Sequence, residues 1–138
     1  MSGNLAEIVA QIDAAVGAVP GMRETAETTP EKISAGGVTR YVWPGAGSLS
    51  EATAGRVEGR HTITVVVATP LRNMRTDLER MRPFGDSVPR AILAAGTLDG
   101  KALQTSAVRY TFGEMELAGV TLLGWRFELD VLEMGALA

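Results

Sequence analysis

Between Val120 and Glu133 apolar and polar side chains alternate almost without error. Leu123, Trp125, Phe127, Leu129 and Val131 fall on one side, and Gly124, Arg126, Glu128 and Asp130 on the other. Successive strand side chains leave opposite faces, so the segment predicts a long strand with one apolar and one polar face. A strand buried on both faces, as in a parallel nucleotide-binding sheet, reads instead as a continuous apolar run. The pattern predicts an antiparallel sheet covered on one side, with the other side facing water or a partner.

At 138 residues the chain fits one domain able to bury a real core. It contains no cysteine, which excludes disulfides, thiolate metal sites and cysteine nucleophiles. The opening Met-Ser-Gly-Asn-Leu-Ala-Glu lacks a basic start and an apolar run, and no stretch approaches the roughly 20 apolar residues of a membrane helix. The expectation is a soluble protein made in the cytoplasm, with no membrane partner. Charge is uneven, with acidic ends around a basic middle. That middle could face an acidic partner, although clustering in sequence need not form a patch in space. Eleven of the thirteen basic residues are arginine. A GC-rich genome would produce the same bias, so arginine usage does not by itself indicate phosphate recognition.

Helical spacing of Leu5, Ile8, Val9, Ile12 and Val16 predicts a helix near residues 5–18, closed by Gly17 and Pro20-Gly21. Residues 22–27 are a weak strand candidate, and Gly37 to Trp43 a short strand stopped by Pro44. Residues 44–56 are small, polar and glycine-rich, and predict a flexible loop. A long strand follows from Val57 to Ala68. Thr69-Pro70 reads as a helix start, with Leu71, Met74, Leu78 and Met81 as the buried stripe. A second helix is expected from Asp86 or Ser87 to Gly96, with Pro89 in its first turn and Val88, Ile92 and Leu93 buried. After a turn at Asp99-Gly100, a strand near Thr105 to Phe112, a loop over Gly113 to Gly119 and the final strand complete the chain. The fold class is α+β: a single largely antiparallel sheet of four or five strands with helices packed on one face, in one domain spanning residues 1–138.

Few residues suggest chemistry. His61 is the only histidine and reads as a surface or boundary residue, with no identifiable nucleophile or orienting group. Glu128 and Asp130 share a strand face, but Arg126 and Arg109 lie on it too, so a solvated, ion-paired surface is the simpler reading. Glu114 and Glu116 flank a hairpin and fall short of a calcium cage. Gly45, Gly47 and Ser48 lack the Gly-Lys-Ser/Thr ending of a phosphate loop. Arg72, Arg75 and Arg82 form the basic side of a helix interrupted by Asp77 and Glu79, with no aromatic platforms for bases. No cofactor, metal or catalytic residue is expected. The candidates for contact surfaces are Leu49, Arg56, Arg72, Arg75, Arg82, Arg126, Glu128 and Asp130.

An N-terminal amphipathic helix broken at Val19-Pro20-Gly21, a strand ending at Trp43-Pro44, a long loop and a Thr/Val strand closing with Thr69-Pro70 are followed by a helix pair and a hairpin ending Gly-Trp-Arg-Phe-Glu-Leu-Asp-Val-Leu-Glu. This layout resembles the small tail-completion proteins of long-tailed, siphovirus-like phages, a group that includes the tail terminators. The resemblance implies a virion subunit, assembled in the host cytoplasm, that forms a homo-oligomeric ring, typically of six copies, on the head-proximal end of the tail tube. It implies contacts with the tail-tube protein and with head-tail connector proteins, while DNA passes through the ring without being read. A head-closure or connector-adaptor protein of the neck is the nearest alternative. A small bacterial enzyme or ligand-binding domain using the Glu128 and Asp130 face is the rival from another class.

Overall fold

The computed structural model describes residues 5–22, 37–96 and 104–136. The expected strand at 22–27 and the Asp99-Gly100 turn lie mainly or wholly outside them. The elements run α1 (Leu5–Gly17), β1 (Thr39–Thr53), β2 (Arg56–Pro70), α2 (Met74–Met81), α3 (Phe84–Ala94), β3 (Gln104–Leu117) and β4 (Val120–Ala136). The four strands form one antiparallel sheet in the order β1-β2-β4-β3. The helices pack on one face, α1 against β1, α2 against β4 and β2, and α3 against β3 and β4. The α+β class read from the sequence is the class observed.

The alternation in β4 has the predicted meaning. Leu123 is buried opposite Thr69, and Phe127, Leu129 and Val131 are buried with Ile63, Val65 and Val67 of β2 beneath the helices, where Ile8, Ile12, Val16, Met81, Phe84, Val88 and Ile92 complete the core. Trp125 is only partly buried, yet it ties two layers together. Its indole N–H donates to the Met81 carbonyl oxygen at 2.8 Å, using an acceptor that the end of α2 leaves free. Its ring packs against Phe112 with centroids 4.6 Å apart. α1 is fastened separately, through Arg40 on β1, whose Nε donates to Asp13 Oδ1 at 2.8 Å.

Residues 44–56 are not an unpaired loop. β1 continues through Pro44 to Thr53, and its register against β2 shifts between Pro44 and Gly47 and again near the hairpin end. Because β1 is an edge strand, the donor missing at Pro44 can be tolerated beside an irregularity, and Gly45, Ala46 and Gly47 supply it. Gly55, at φ +76°, turns the chain into β2. At the other end of the sheet, the stretch expected to loop from Gly113 to Gly119 remains strand as far as Leu117. It reverses over Ala118 and Gly119, both at positive φ, as in a primed two-residue hairpin turn.

Thr69-Pro70 closes β2 and starts no helix; the Thr69 hydroxyl is buried with no hydrogen-bond partner. Asn73 caps α2 instead, its side chain accepting from the Thr76 N–H at 3.1 Å. The helix is also rotated from the predicted stripe: Met74 is half exposed, and Asp77 is buried in its place beside Met81. α3 begins at Phe84, before the expected Asp86 or Ser87, so Pro89 lies inside it, and Leu93 is half exposed. The far face of the sheet is not uniformly wet either. Val66, Ala68 and Leu122 are buried there, with Tyr41, Trp43, Met115, Leu117 and Val120 packed around them.

Two stability outcomes follow. Phe127→Ala should cost about 3 to 5 kcal/mol in denaturant melts, against within ~0.5 for Glu128→Ala, because only the first opens a cavity. Equal losses would mean the strand faces are reversed. Ala118→Gly should stabilise the protein by roughly 1 kcal/mol, since an L-residue with a Cβ is held in the left-handed region. A loss of stability on that change would contradict the turn.

Candidate functional site

The eight residues read as contact candidates fall on three separate surfaces. Leu49 and Arg56 are exposed on the β1–β2 hairpin. Arg72, Arg75 and Arg82 are exposed around α2. Arg126, Glu128 and Asp130 lie on the face of β4 turned away from the helices. Arg126, Glu128 and Asp130 share one strand face, and the three surfaces are not brought together.

The acidic pair on β4 is held by arginine. Arg109 on β3 donates to both Asp130 oxygens, at 2.9 and 3.3 Å, and Thr62 on β2 adds a longer hydrogen bond of 3.4 Å. The hydrogen bonds from Arg109 hold the Asp130 carboxyl below the usual carboxylate range; partial burial opposes this, and the arginine charge and Thr62 reinforce it. Such a group is a poor proton donor at neutral pH. Glu128 sits beside Arg126, at 3.9 Å. A groove of about 550 Å³ across β1, β2 and β4 includes Asp130 along its wall but not Glu128, so the two carboxylates do not converge on one cavity. Among the described residues, no group of three or more histidine, cysteine, aspartate or glutamate side chains is placed to hold a metal ion.

Asp77 is the more constrained carboxylate. Its Oδ2 accepts from the Arg72 and Asn73 N–H groups at 2.9 and 3.0 Å, and its Oδ1 from Arg80 at 2.8 Å. Burial works against its ionisation, but the two backbone hydrogen bonds and the Arg80 charge outweigh it and lower its pKa. This aspartate closes the first turn of α2, where N–H groups would otherwise lack partners.

His61 is not the surface residue that its solitary place in the sequence suggested. It lies on the helix-covered face of β2, 7% exposed, with Nε2 2.7 Å from Glu133 Oε1 on β4. Gly59 and Gly47 make room for the pair: a side chain at Gly59 would run into both Glu133 and His61, and one at Gly47 into His61 Nδ1. Leu5, Pro44 to Leu49 and His61 enclose a second groove of about 310 Å³, which opens where β1 shifts register. The signal for this site was weak but present. Glu133 continues the inward series of β4, and Gly59 continues that of β2, so the two fall opposite each other.

No protein-family model matches the chain, and no curated protein matches it. No helix among the described residues is long and apolar enough to cross a membrane.

The Asp77 geometry predicts a pH effect. A carboxyl whose folded pKa lies below its unfolded value contributes stability that is complete above roughly pH 4 to 5 and is lost as pH falls through the folded pKa. Asp77→Asn should therefore destabilise the protein by about 1 to 3 kcal/mol at pH 7, with the difference from wild type shrinking towards pH 3. Melts showing a pH-independent difference would contradict this assignment.

Proposed function

We propose that the protein is a tail terminator of a long-tailed phage, a subunit whose ring caps the tail tube and presents a surface to the head connector. The observation that carries this reading is the two-sided exposure of the sheet. β1 and β3 are its edges, and each presents a large apolar side chain to solvent, Leu49 on one and Tyr110 on the other. A subunit with unlike surfaces at its two edges is suited to head-to-tail contact, which closes into a ring when the rotation between copies permits. The order of elements adds to this, because the chain resembles tail-completion proteins along most of its length. The ion pairing of Asp130 with Arg109, and the position of Glu128 outside the groove that Asp130 lines, favour contact over acid–base chemistry on that face.

In this reading the tail tube provides the template, the connector docks on the opposite side, and DNA passes through the ring without sequence recognition. Arg72, Arg75 and Arg82 form the basic surface offered to one of these neighbours.

Native mass spectrometry and electron microscopy with tail-tube protein test the proposal, the expected result being closed rings on one end of each tube. Charge reversal at Arg75 or Arg82 should leave the melting temperature within a degree or two of wild type, as expected for exposed sites, while reducing tube capping. A protein that neither forms rings nor binds tubes in these mixtures would overturn the reading.

A further inference from the structure

The two edges of the sheet are not equally protected. β1 lacks a backbone donor at Pro44 and shifts register twice against β2, so it offers no long flat row of backbone groups. β3 differs. Its one bulge lies near its start, between Ser106 and Val108, with Ala107 at φ +46°. From Val108 to Leu117 it pairs with β4 without a shift and contains no proline. Among the described residues no strand pairs with its outer side. An antiparallel strand directs about half of its N–H and C=O groups away from its neighbour, so this run carries a regular row of them along an open edge. Its side chains are open too: Arg109, Tyr110 and Thr111 are exposed, Tyr110 by 65%.

The run is complementary to itself. Val108, Tyr110, Phe112 and Glu114 lie on the helix-bearing side, and Arg109, Thr111 and Gly113 on the far side. Two copies of it can meet antiparallel about a two-fold axis perpendicular to the sheet, an operation that keeps each face on its own side. Residues directly opposite must share a face, so the axis has to pass between one residue and its own copy. With Thr111 at the axis, Tyr110 meets Phe112 twice, Arg109 meets Gly113 and Val108 meets Glu114, and no like charges oppose each other. Neighbouring registers are worse. Phe112 or Gly113 at the axis puts Tyr110 opposite Glu114 or Glu116, and Glu114 at the axis sets two carboxylates together. Tyr110 at the axis shortens the pairing, because the bulge follows at Ala107.

We propose that the free protein forms a two-fold dimer in which the stretch from Val108 to Glu114 pairs antiparallel with its own copy about Thr111, joining the two four-stranded sheets into one. The occupant of this edge is a second β3 because the same residues supply both halves of each favourable pair, whereas β1 is broken at Pro44 and shifts register twice. The axis keeps the helices of both copies on one side of the joined sheet, so that α3, which packs against β3 and β4, lies next to its counterpart. The contact is isologous and closes at two copies. It does not rest on the ring reading: a ring on the tube would form from copies that have separated.

Sedimentation of the purified protein over a range of concentrations, without tube protein, tests the contact. Wild type should reach dimers and stop there. Thr111 is exposed, so Thr111→Glu and Thr111→Lys should both stay folded in thermal melts, yet each sets like charges opposite one another across the axis. Each should weaken dimerisation by about three- to tenfold. Tyr110→Ala, which removes both aromatic pairs, should weaken it by about tenfold or more. The decisive arm is an equal mixture of Thr111→Glu and Thr111→Lys, which puts a carboxylate opposite an ammonium group. It should dimerise at least as tightly as wild type, as mixed species that native mass spectrometry separates by mass. Wild type that stays monomeric or grows beyond two copies, single Thr111 variants that dimerise as tightly as wild type, or a mixture no tighter than its components would each overturn the proposal. Because tube protein is absent, any of these results would leave the ring reading standing, and a failure to cap tubes would leave this contact standing.

Discussion

The register between β2 and β4 decides what every other element can do. The pairing runs from Arg56 opposite Ala136 to Pro70 opposite Leu122 without a shift, and it places Ile63, Val65 and Val67 beside Leu129, Phe127 and Trp125. A slip of one residue would bring Arg126 and Glu128 under the helices and send Phe127 and Leu129 into water. Packing at Gly124 opposes such a slip, because a side chain there would collide with the Val67 carbonyl and with Ala68. The three helices meet an apolar floor only because this central ladder holds. The shifts in pairing are confined to the edge strands, between Pro44 and Gly47 and between Glu51 and Thr53 in β1, and between Ser106 and Val108 in β3.

That division between a regular centre and irregular edges links fold to function. An edge strand with a flat row of free backbone groups invites uncontrolled pairing, and bulges with proline and glycine counter it. In β1 the same irregularity opens the groove beside α1 and brings Gly47 against His61. The irregularity that breaks up the edge thus also shapes the groove beside it. At the other end of the sheet, the tight turn at Ala118 and Gly119 keeps β3 and β4 paired to their tip, where Leu117 and Val120 join the buried Leu122 on the far face.

The centre of this arrangement was legible in the sequence, and its margins were not. Alternation along β4 from Arg126 to Val131 reports burial directly, so Phe127 and Leu129 could be assigned to the core and Arg126 to the outside from the pattern alone, whereas β2 is buried at every position from Ile63 to Pro70. Pro44 and the surrounding glycines read as a break because composition does not distinguish an edge-strand irregularity from a loop; only pairing to β2 does. Thr69-Pro70 carried a helix-start signal that lost to the β2–β4 ladder, and the cap moved to Asn73. Tyr110 lies opposite Phe127 on the helix-bearing side of the sheet yet is 65% exposed, because periodicity predicts a face and not whether a helix covers it. His61 and Glu133 are 72 positions apart, and no local rule pairs residues at that distance. The Asp130 pairing with Arg109 was anticipated because both residues belonged to strands whose faces were already assigned.

The buried His61 and Glu133 pair is a poor source of stability compared with what could stand in its place. Removing a carboxylate and an imidazole from water costs several kcal/mol, and apolar residues of similar volume often do as well or better. Two glycine positions are also given over to its accommodation, at Gly47 and Gly59, and glycine in a strand sacrifices both packing and backbone order. The physical return is fixed direction. The Glu133 carboxyl at Nε2 holds the plane of the ring between β2 and β4. A surface histidine would have no set orientation. Replacing either partner alone would leave the other buried without its hydrogen bond, so the two positions are fixed together.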